Sequence, residues 1–197
     1  NQFYYIAMEY LEGRDLAPCT KPGHLLPLRR VLRMVADSAE ALAYAHDHNV
    51  VHRDVKPGNI MYDADSGTLK ITDFGIARIT DASRTRTGMV LGTPSYMSPE
   101  QLAGQKIDGR SDLFSLGVML YQMATGRLPF TADSMATLMY RIANQPHTPI
   151  HELDPTLPAC LGRIVDRALH KDHAARYADG RSMARDLRRC AERVGRG

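Results

Sequence analysis

An α+β fold carried mainly by helices is what this sequence predicts, and three observations predict it. Leu28, Val31, Leu32, Val35, Ala39 and Leu42 recur at helical spacing. Leu113, Phe114, Leu116, Val118, Met119, Leu120 and Met123 leave no polar face, the mark of a helix buried at the centre of a domain. Two short runs, Ile60-Met61-Tyr62 and Thr68 to Thr72, flank the turn cluster Asp63-Ala64-Asp65-Ser66-Gly67 and read as a β-hairpin. The 197 residues suit one domain with a real core.

Taken in order, Phe3 to Leu11 is rich in β-branched and aromatic residues and predicts a strand that Glu12-Gly13 ends. Pro18, Pro22, Gly23 and Pro27 punctuate a loop, and Pro27 suits the first turn of a helix. That helix runs from about Leu28 to His48 and stops at Asn49. Val50-Val51 then leads into His52-Arg53-Asp54-Val55-Lys56-Pro57-Gly58-Asn59. Pro57-Gly58 argues against a continuous helix or strand, so this stretch is a loop that presents polar side chains. Pairing of the two short strands places Asn59 and Asp73, fourteen residues apart, side by side next to Asp54.

Residues 76–111 show little periodicity and read as a long functional or mobile loop. The central helix spans Asp112 to Thr125 and ends at Gly126. Further helices are predicted at about 133–144, 158–170 and 180–194, the last with Asp179 as its N-cap.

Composition is ordinary for a soluble globular chain, with 44% hydrophobic and 24% charged residues. A net charge of +3 gives no argument for nucleic acid or a membrane surface. The run Leu113 to Ala124 is too short and too interrupted to span a bilayer. Cys19, Cys160 and Cys190 are odd in number and far apart, so no disulfide framework or zinc pattern is expected and a reducing compartment is. His46 and His48 do not face each other, and His170 and His173 lack a third ligand, so none is read as a metal site. The chain starts at Asn1-Gln2-Phe3, without Met and already strand-like, as though cut through a larger domain.

HRDVKPGN, then Asp73-Phe74-Gly75, then Ser98-Pro99-Glu100, then Asp112-Leu113-Phe114-Ser115-Leu116-Gly117 occur in an order and spacing that resemble the catalytic domain of protein kinases. The KPGNI and GTPSYMSPEQL wording is most similar to bacterial serine/threonine kinases. The resemblance implies a protein-kinase-like C-terminal lobe, helical with a small β-hairpin at the active site, plus a remnant hinge strand. Residues 1–13 would be the end of the small lobe and the hinge, 14–197 the C-terminal lobe, and 73–100 the activation segment. It implies transfer of the ATP γ-phosphate to Ser or Thr hydroxyls of proteins, a reaction made mostly of positioning and charge neutralisation.

By resemblance, Asp54 accepts or orients the acceptor proton and Lys56 neutralises the moving phosphate. Asn59 and Asp73 offer hard oxygen ligands for Mg²⁺, with Mn²⁺ as an alternative. Glu9 and Leu11 match backbone contacts to adenine, Met8 the gatekeeper, Asp15 a ribose contact and Met61 the residue under adenine. His52 is a packing residue that stacks with Phe74. Thr85 and Thr87 match phosphorylation positions whose phosphate could pair with Arg53, and Thr93 matches a threonine that contacts Asp54 and Lys56. Glu100 and Arg176 match a buried ion pair, and Asp112 the acid that holds the HRD backbone.

No GxGxxG motif occurs, nor the strand Lys and helix Glu that complete the family's ATP site. The chain is therefore expected to be a fragment, inactive alone and active only with the missing N-terminal lobe. The alternative is a non-catalytic, kinase-like interaction module; a small-molecule kinase fits the long activation segment less well. Expected partners are protein substrates and a second copy for autophosphorylation, with no nucleic acid and no membrane contact. The expected location is cytoplasmic, free or as the cytoplasmic part of a membrane-anchored receptor kinase.

Overall fold

A computed structural model describes residues 9–74 and 94–194. Within them, strands β1 (Arg14–Asp15), β2 (Ile60–Tyr62) and β3 (Leu69–Ile71) form one antiparallel sheet in the order β1-β2-β3. The helices are α1 (Leu28–Asp47), α2 (Pro99–Leu102), α3 (Gly109–Thr125), α4 (Met135–Asn144), α5 (Ile150–Leu153), α6 (Ala159–Ala168) and α7 (Gly180–Val194). The strand read over Phe3 to Leu11 falls mostly outside the described residues, and Glu9 to Leu11 have no regular structure.

Helix α1 forms where the apolar spacing places it. Val31, Leu32, Val35, Ala39 and Leu42 are fully buried along one face. Pro27 stands at the N-cap, and its carbonyl accepts the Arg30 N–H at 2.8 Å. Asn49 ends the helix in the left-handed region (φ 59°), and the next N–H, of Val50, returns to the Ala45 carbonyl.

Helix α3 is the hub of the core, with Leu113, Phe114, Leu116, Val118, Met119, Leu120 and Met123 all fully buried. It starts three residues before the predicted Asp112 because the Asp108 side chain caps it, accepting the Arg110 N–H at 2.9 Å. Gly126 closes it at φ 71°, donating its N–H to the Gln122 carbonyl. The 76–111 stretch has the sequence of one long loop, yet it also contains α2. Ser98 and Gln101 form a capping box for that single turn.

Helix α7 lies against α1 and begins where Asp179 Oδ1 accepts the Ser182 N–H at 2.7 Å. A Cβ at Gly180 would run into the Ala39 carbonyl oxygen, so glycine sets how closely the two helices approach. Arg188 bridges Glu40 and Asp37 across this contact. These pairs are solvent-exposed and add little to stability.

One expectation is overturned. Cys160 and Cys190 are joined by a disulfide, with Cα atoms 5.7 Å apart, and Cys19 is the free cysteine. A separation of 30 residues carries no local signal. The chain turns back between α6 and α7 and brings the start of one helix beside the end of the other. Among the described residues, no helix is long and apolar enough to cross a membrane.

Candidate active site

The hairpin positions half of the site. Ile60 pairs with Ile71, and beyond that pair the Asn59 carbonyl accepts the Thr72 N–H at 2.9 Å and its hydroxyl at 3.2 Å. Asn59 and Asp73 therefore emerge at the same end of the sheet. Asp73 takes a left-handed backbone (φ 57°) where the chain leaves β3.

The loop from His52 to Asn59 is held from beneath by the central helix. Asp112 Oδ1 accepts the Arg53 N–H and Oδ2 the His52 N–H, each at 2.8 Å. Oδ2 also meets His46 Nε2 from α1 at 2.8 Å. Val55 is buried and anchors the middle of the loop, while Asp54 stays exposed. Pro57–Asn59 makes one 3-10 turn that hands the chain to β2.

His52 is fully buried and links the loop to the hairpin. Its Nδ1 accepts the Asp54 N–H at 3.2 Å, so Nε2 carries the proton and donates to the Thr72 carbonyl at 2.8 Å. Its ring lies 4.6 Å from that of Phe74.

Three polar side chains converge on this framework. Lys56 Nζ donates to Asp54 Oδ2 at 2.7 Å. Asn59 Nδ2 donates to the same oxygen at 3.0 Å and to the Asp54 carbonyl at 2.8 Å. Both donors fix one carboxylate oxygen and leave Oδ1 for another group. Asn59 spends its amide nitrogen on Asp54, so its amide oxygen is the hard donor left over.

That oxygen and the Asp73 carboxylate suit a small divalent cation such as Mg²⁺, which takes few protein oxygens and keeps the rest of its shell for water and phosphate. Among the described residues no group of three or more His, Cys, Asp and Glu side chains could hold a metal by itself.

Glu9, Leu11 and Met61 line one cleft of about 290 Å³ together with Tyr10, Asp63 and Lys70. Lys70 Nζ meets Glu9 Oε1 at 2.6 Å and ties residue 9 to the hairpin. Asp15 is not among the lining residues but is the strand partner of Met61, and its carboxylate accepts the Ala17 N–H at 2.8 Å.

The segment after residue 93 is anchored to the helical core. Arg176 donates from both terminal nitrogens to Glu100, at 2.7 and 2.8 Å, and its side chain is fully buried. Burial pushes the Glu100 carboxyl up, but hydrogen bonds from Arg176 and Ser111 outweigh it and hold the group at about 2. The Tyr96 hydroxyl meets Gln122, and Ser115 Oγ donates to the Tyr96 carbonyl at 2.6 Å. Burial raises the Tyr96 hydroxyl to about 12. Gln101 Nε2 reaches the Arg53 carbonyl at 2.9 Å, tying this segment to the loop.

Met8, Thr85, Thr87 and Thr93 lie outside the described residues. Sequence reasoning missed His46 as part of the Asp112 cluster, because the two residues stand 66 positions apart. Sequence reasoning also missed Gln101 and Tyr96, whose partners Arg53 and Gln122 stand 48 and 26 positions away, and Ser111, whose bond to Glu100 follows no local period.

The protein kinase domain model matches residues 1–187. The chain belongs to the protein kinase family. Among curated relatives it is 40% identical over 186 residues to the serine/threonine-protein kinase PknB of Mycobacterium tuberculosis, covering 93% of this chain and 30% of that protein. It is 42% identical over 195 residues to the serine/threonine-protein kinase PksC of Streptomyces coelicolor, covering 95% and 35%. The probable serine/threonine-protein kinase PknB of Bifidobacterium longum matches at 40% over 186 residues, covering 93% and 27%. The chain thus spans about a third of the length of these relatives.

The crystal structure of the Mycobacterium tuberculosis PknI kinase domain superposes with a TM-score of 0.72 at 28% identity, covering 93% of this chain and 64% of that one. The fold is that of a protein-kinase C-terminal lobe, and the relatives are bacterial serine/threonine kinases.

Proposed function

We propose that this chain supplies the acceptor and metal side of a serine/threonine protein kinase that moves the ATP γ-phosphate to Ser or Thr hydroxyls of proteins. The observation that carries the reading is the Asp54 carboxylate, one oxygen fixed by Lys56 and Asn59 and the other left for a substrate hydroxyl. Asp54 orients that hydroxyl and takes its proton as the new bond forms. Lys56 keeps a positive charge at the transferring phosphate. Asn59 and Asp73 would hold Mg²⁺ or Mn²⁺, which when bound neutralises phosphate charge and aligns the leaving group. Glu9, Leu11 and Met61 would face adenine across the cleft, and Asp15 the ribose.

The 197 residues contain no glycine-rich GxGxxG motif and cover 64% of the PknI kinase-domain chain. We infer that the grip on the ATP phosphates comes from an N-terminal lobe outside these residues, and that these residues alone do not transfer phosphate. In this reading residues 1–13 join the two lobes and 73–100 form the activation segment. A phosphate on Thr85 or Thr87 would pair with Arg53, and a second copy of the kinase is a fitting donor of it. The site faces cytoplasmic protein substrates.

The test is transfer from γ-labelled ATP to a general Ser/Thr acceptor protein, with the 197 residues alone and joined to the coding sequence that precedes them. The longer protein transfers label and the shorter one does not. Full turnover by the 197 residues removes the need for a second lobe. No turnover by the longer protein, with ATP bound and the fold intact, favours a non-catalytic interaction module.

A further inference from the structure

We propose that Cys160 and Cys190 form a thiol–disulfide exchange site whose state sets how firmly the 169–179 segment is held against the rest of the lobe. This goes beyond the phosphotransfer reading and does not depend on it.

The bond joins the first turn of α6 to the last turns of α7. The loop it closes contains the whole connection between the two helices. That connection carries Arg176, only 2% exposed, whose guanidinium binds Glu100 and also the carbonyls of His170 and Lys171. Lys171 Nζ reaches the Ile142 carbonyl of α4 at 2.6 Å and lies 3.8 Å from the Phe130 ring centre. One short segment therefore fastens α2, α3 and α4 together. A covalent tie between the far ends of the two helices that flank it fixes that helix pair, and with it the frame from which the segment is hung.

The two cysteines differ in exposure. Cys190 is 1% exposed, whereas Cys160 is half-buried at the surface. A thiolate of a small dithiol attacks Cys160 Sγ, forming a mixed disulfide while the Cys190 sulfur leaves and takes up a proton. The second thiol of the dithiol, losing its proton, then attacks its own sulfur in the mixed disulfide. Cys160 is released as a thiolate and the reagent is oxidised to a ring disulfide. Two electrons pass from the dithiol to the protein, and both cysteines end reduced. Cys160, freed in the first turn of a ten-residue helix, is the more exposed of the two and takes the return step with a disulfide oxidant.

The test takes the protein purified in air and compares it before and after dithiothreitol. Maleimide labelling in denaturant, read by mass, adds one label before reduction, at Cys19, and three after. Reduction lowers the melting temperature by about 5–10 °C, as loss of a cross-link over a loop of this length predicts. It also speeds tryptic cleavage after Lys171 and Arg176 relative to sites in α1. A Cys160→Ser, Cys190→Ser protein shows the reduced behaviour with or without dithiothreitol; if that variant does not fold, the wild-type comparison decides alone. Three labels before reduction overturn the proposal, because no bond then forms. A bond that native-state dithiothreitol does not open, or one whose opening leaves melting and cleavage unchanged, overturns it as well.

Discussion

The Asp112 carboxylate holds the backbone of Arg53 through a 2.8 Å hydrogen bond that spans 59 residues. Arg53 has a left-handed backbone (φ 71°), a conformation that a residue with a side chain adopts at a cost of about 1–3 kcal/mol. The same carboxylate takes the His52 N–H, so two successive peptide groups are clamped just before Asp54. The strain therefore has a visible counterweight: a buried acid on the most buried helix of the lobe. His46 completes the arrangement by fixing the second oxygen from α1.

Replacing Asp112 by Asn keeps the shape but offers one acceptor oxygen for two N–H groups. One donor near Asp54 then loses its partner, at a cost of about 1–3 kcal/mol. A lowered urea midpoint and faster exchange of the Arg53 amide are the expected readings. His46→Ala leaves both N–H bonds in place and should cost less than Asp112→Asn. Equal stability of Asp112→Asn and wild type would mean that the clamp carries no strain.

The Glu100–Arg176 pair makes stability depend on acid. The folded Glu100 carboxyl, held at about 2, lies below its ordinary value of 4.5. Its contribution is thus fully present above about pH 4.5 and is lost as pH falls toward 2. The gap corresponds to about 3 kcal/mol. Glu100→Gln should flatten the stability profile between pH 4.5 and 2, as followed by chemical denaturation at each pH. At neutral pH the same variant leaves Arg176 buried without a counter-charge and should lose about 3–5 kcal/mol. An unchanged acid profile would show that other carboxylates govern the transition.

How much of this was legible in the sequence differs by element. The ends of α1 were readable because Pro27 and Asn49 bracket a clean apolar stripe. The hairpin that brings Asn59 against Thr72 was readable because a five-residue turn leaves two short strands little choice of pairing. Strand β1 and helix α5, of two and four residues, are too short to produce a period. Helix α2 did carry a local sign, the Ser98–Gln101 capping box, but it lay within an aperiodic stretch. His46 with Asp112, Tyr96 with Gln122 and Cys160 with Cys190 are tertiary pairings. They depend on how α1, α3, α6 and α7 pack, which no local pattern encodes.

Gly180 is a packing requirement on the α1–α7 contact. An alanine there must displace the Ala39 backbone, since a Cβ would overlap its carbonyl oxygen and lie 3.2 Å from the Ala43 Cβ. Gly180→Ala should destabilise the lobe by about 1–3 kcal/mol, although alanine is the better helix former. Thermal or urea denaturation checks it. A stabilised variant would mean that α7 shifts freely on α1.

The central claim is that Asp54, steadied by Lys56 and Asn59, performs phosphotransfer. It is tested most directly by single-turnover transfer from γ-labelled ATP in the protein extended through its preceding coding sequence, comparing wild type with Asp54→Asn. The account predicts a loss of about 10²–10⁴-fold in the chemical step with unchanged ATP binding and unchanged circular dichroism. A wild-type rate in the Asp54→Asn protein would contradict it.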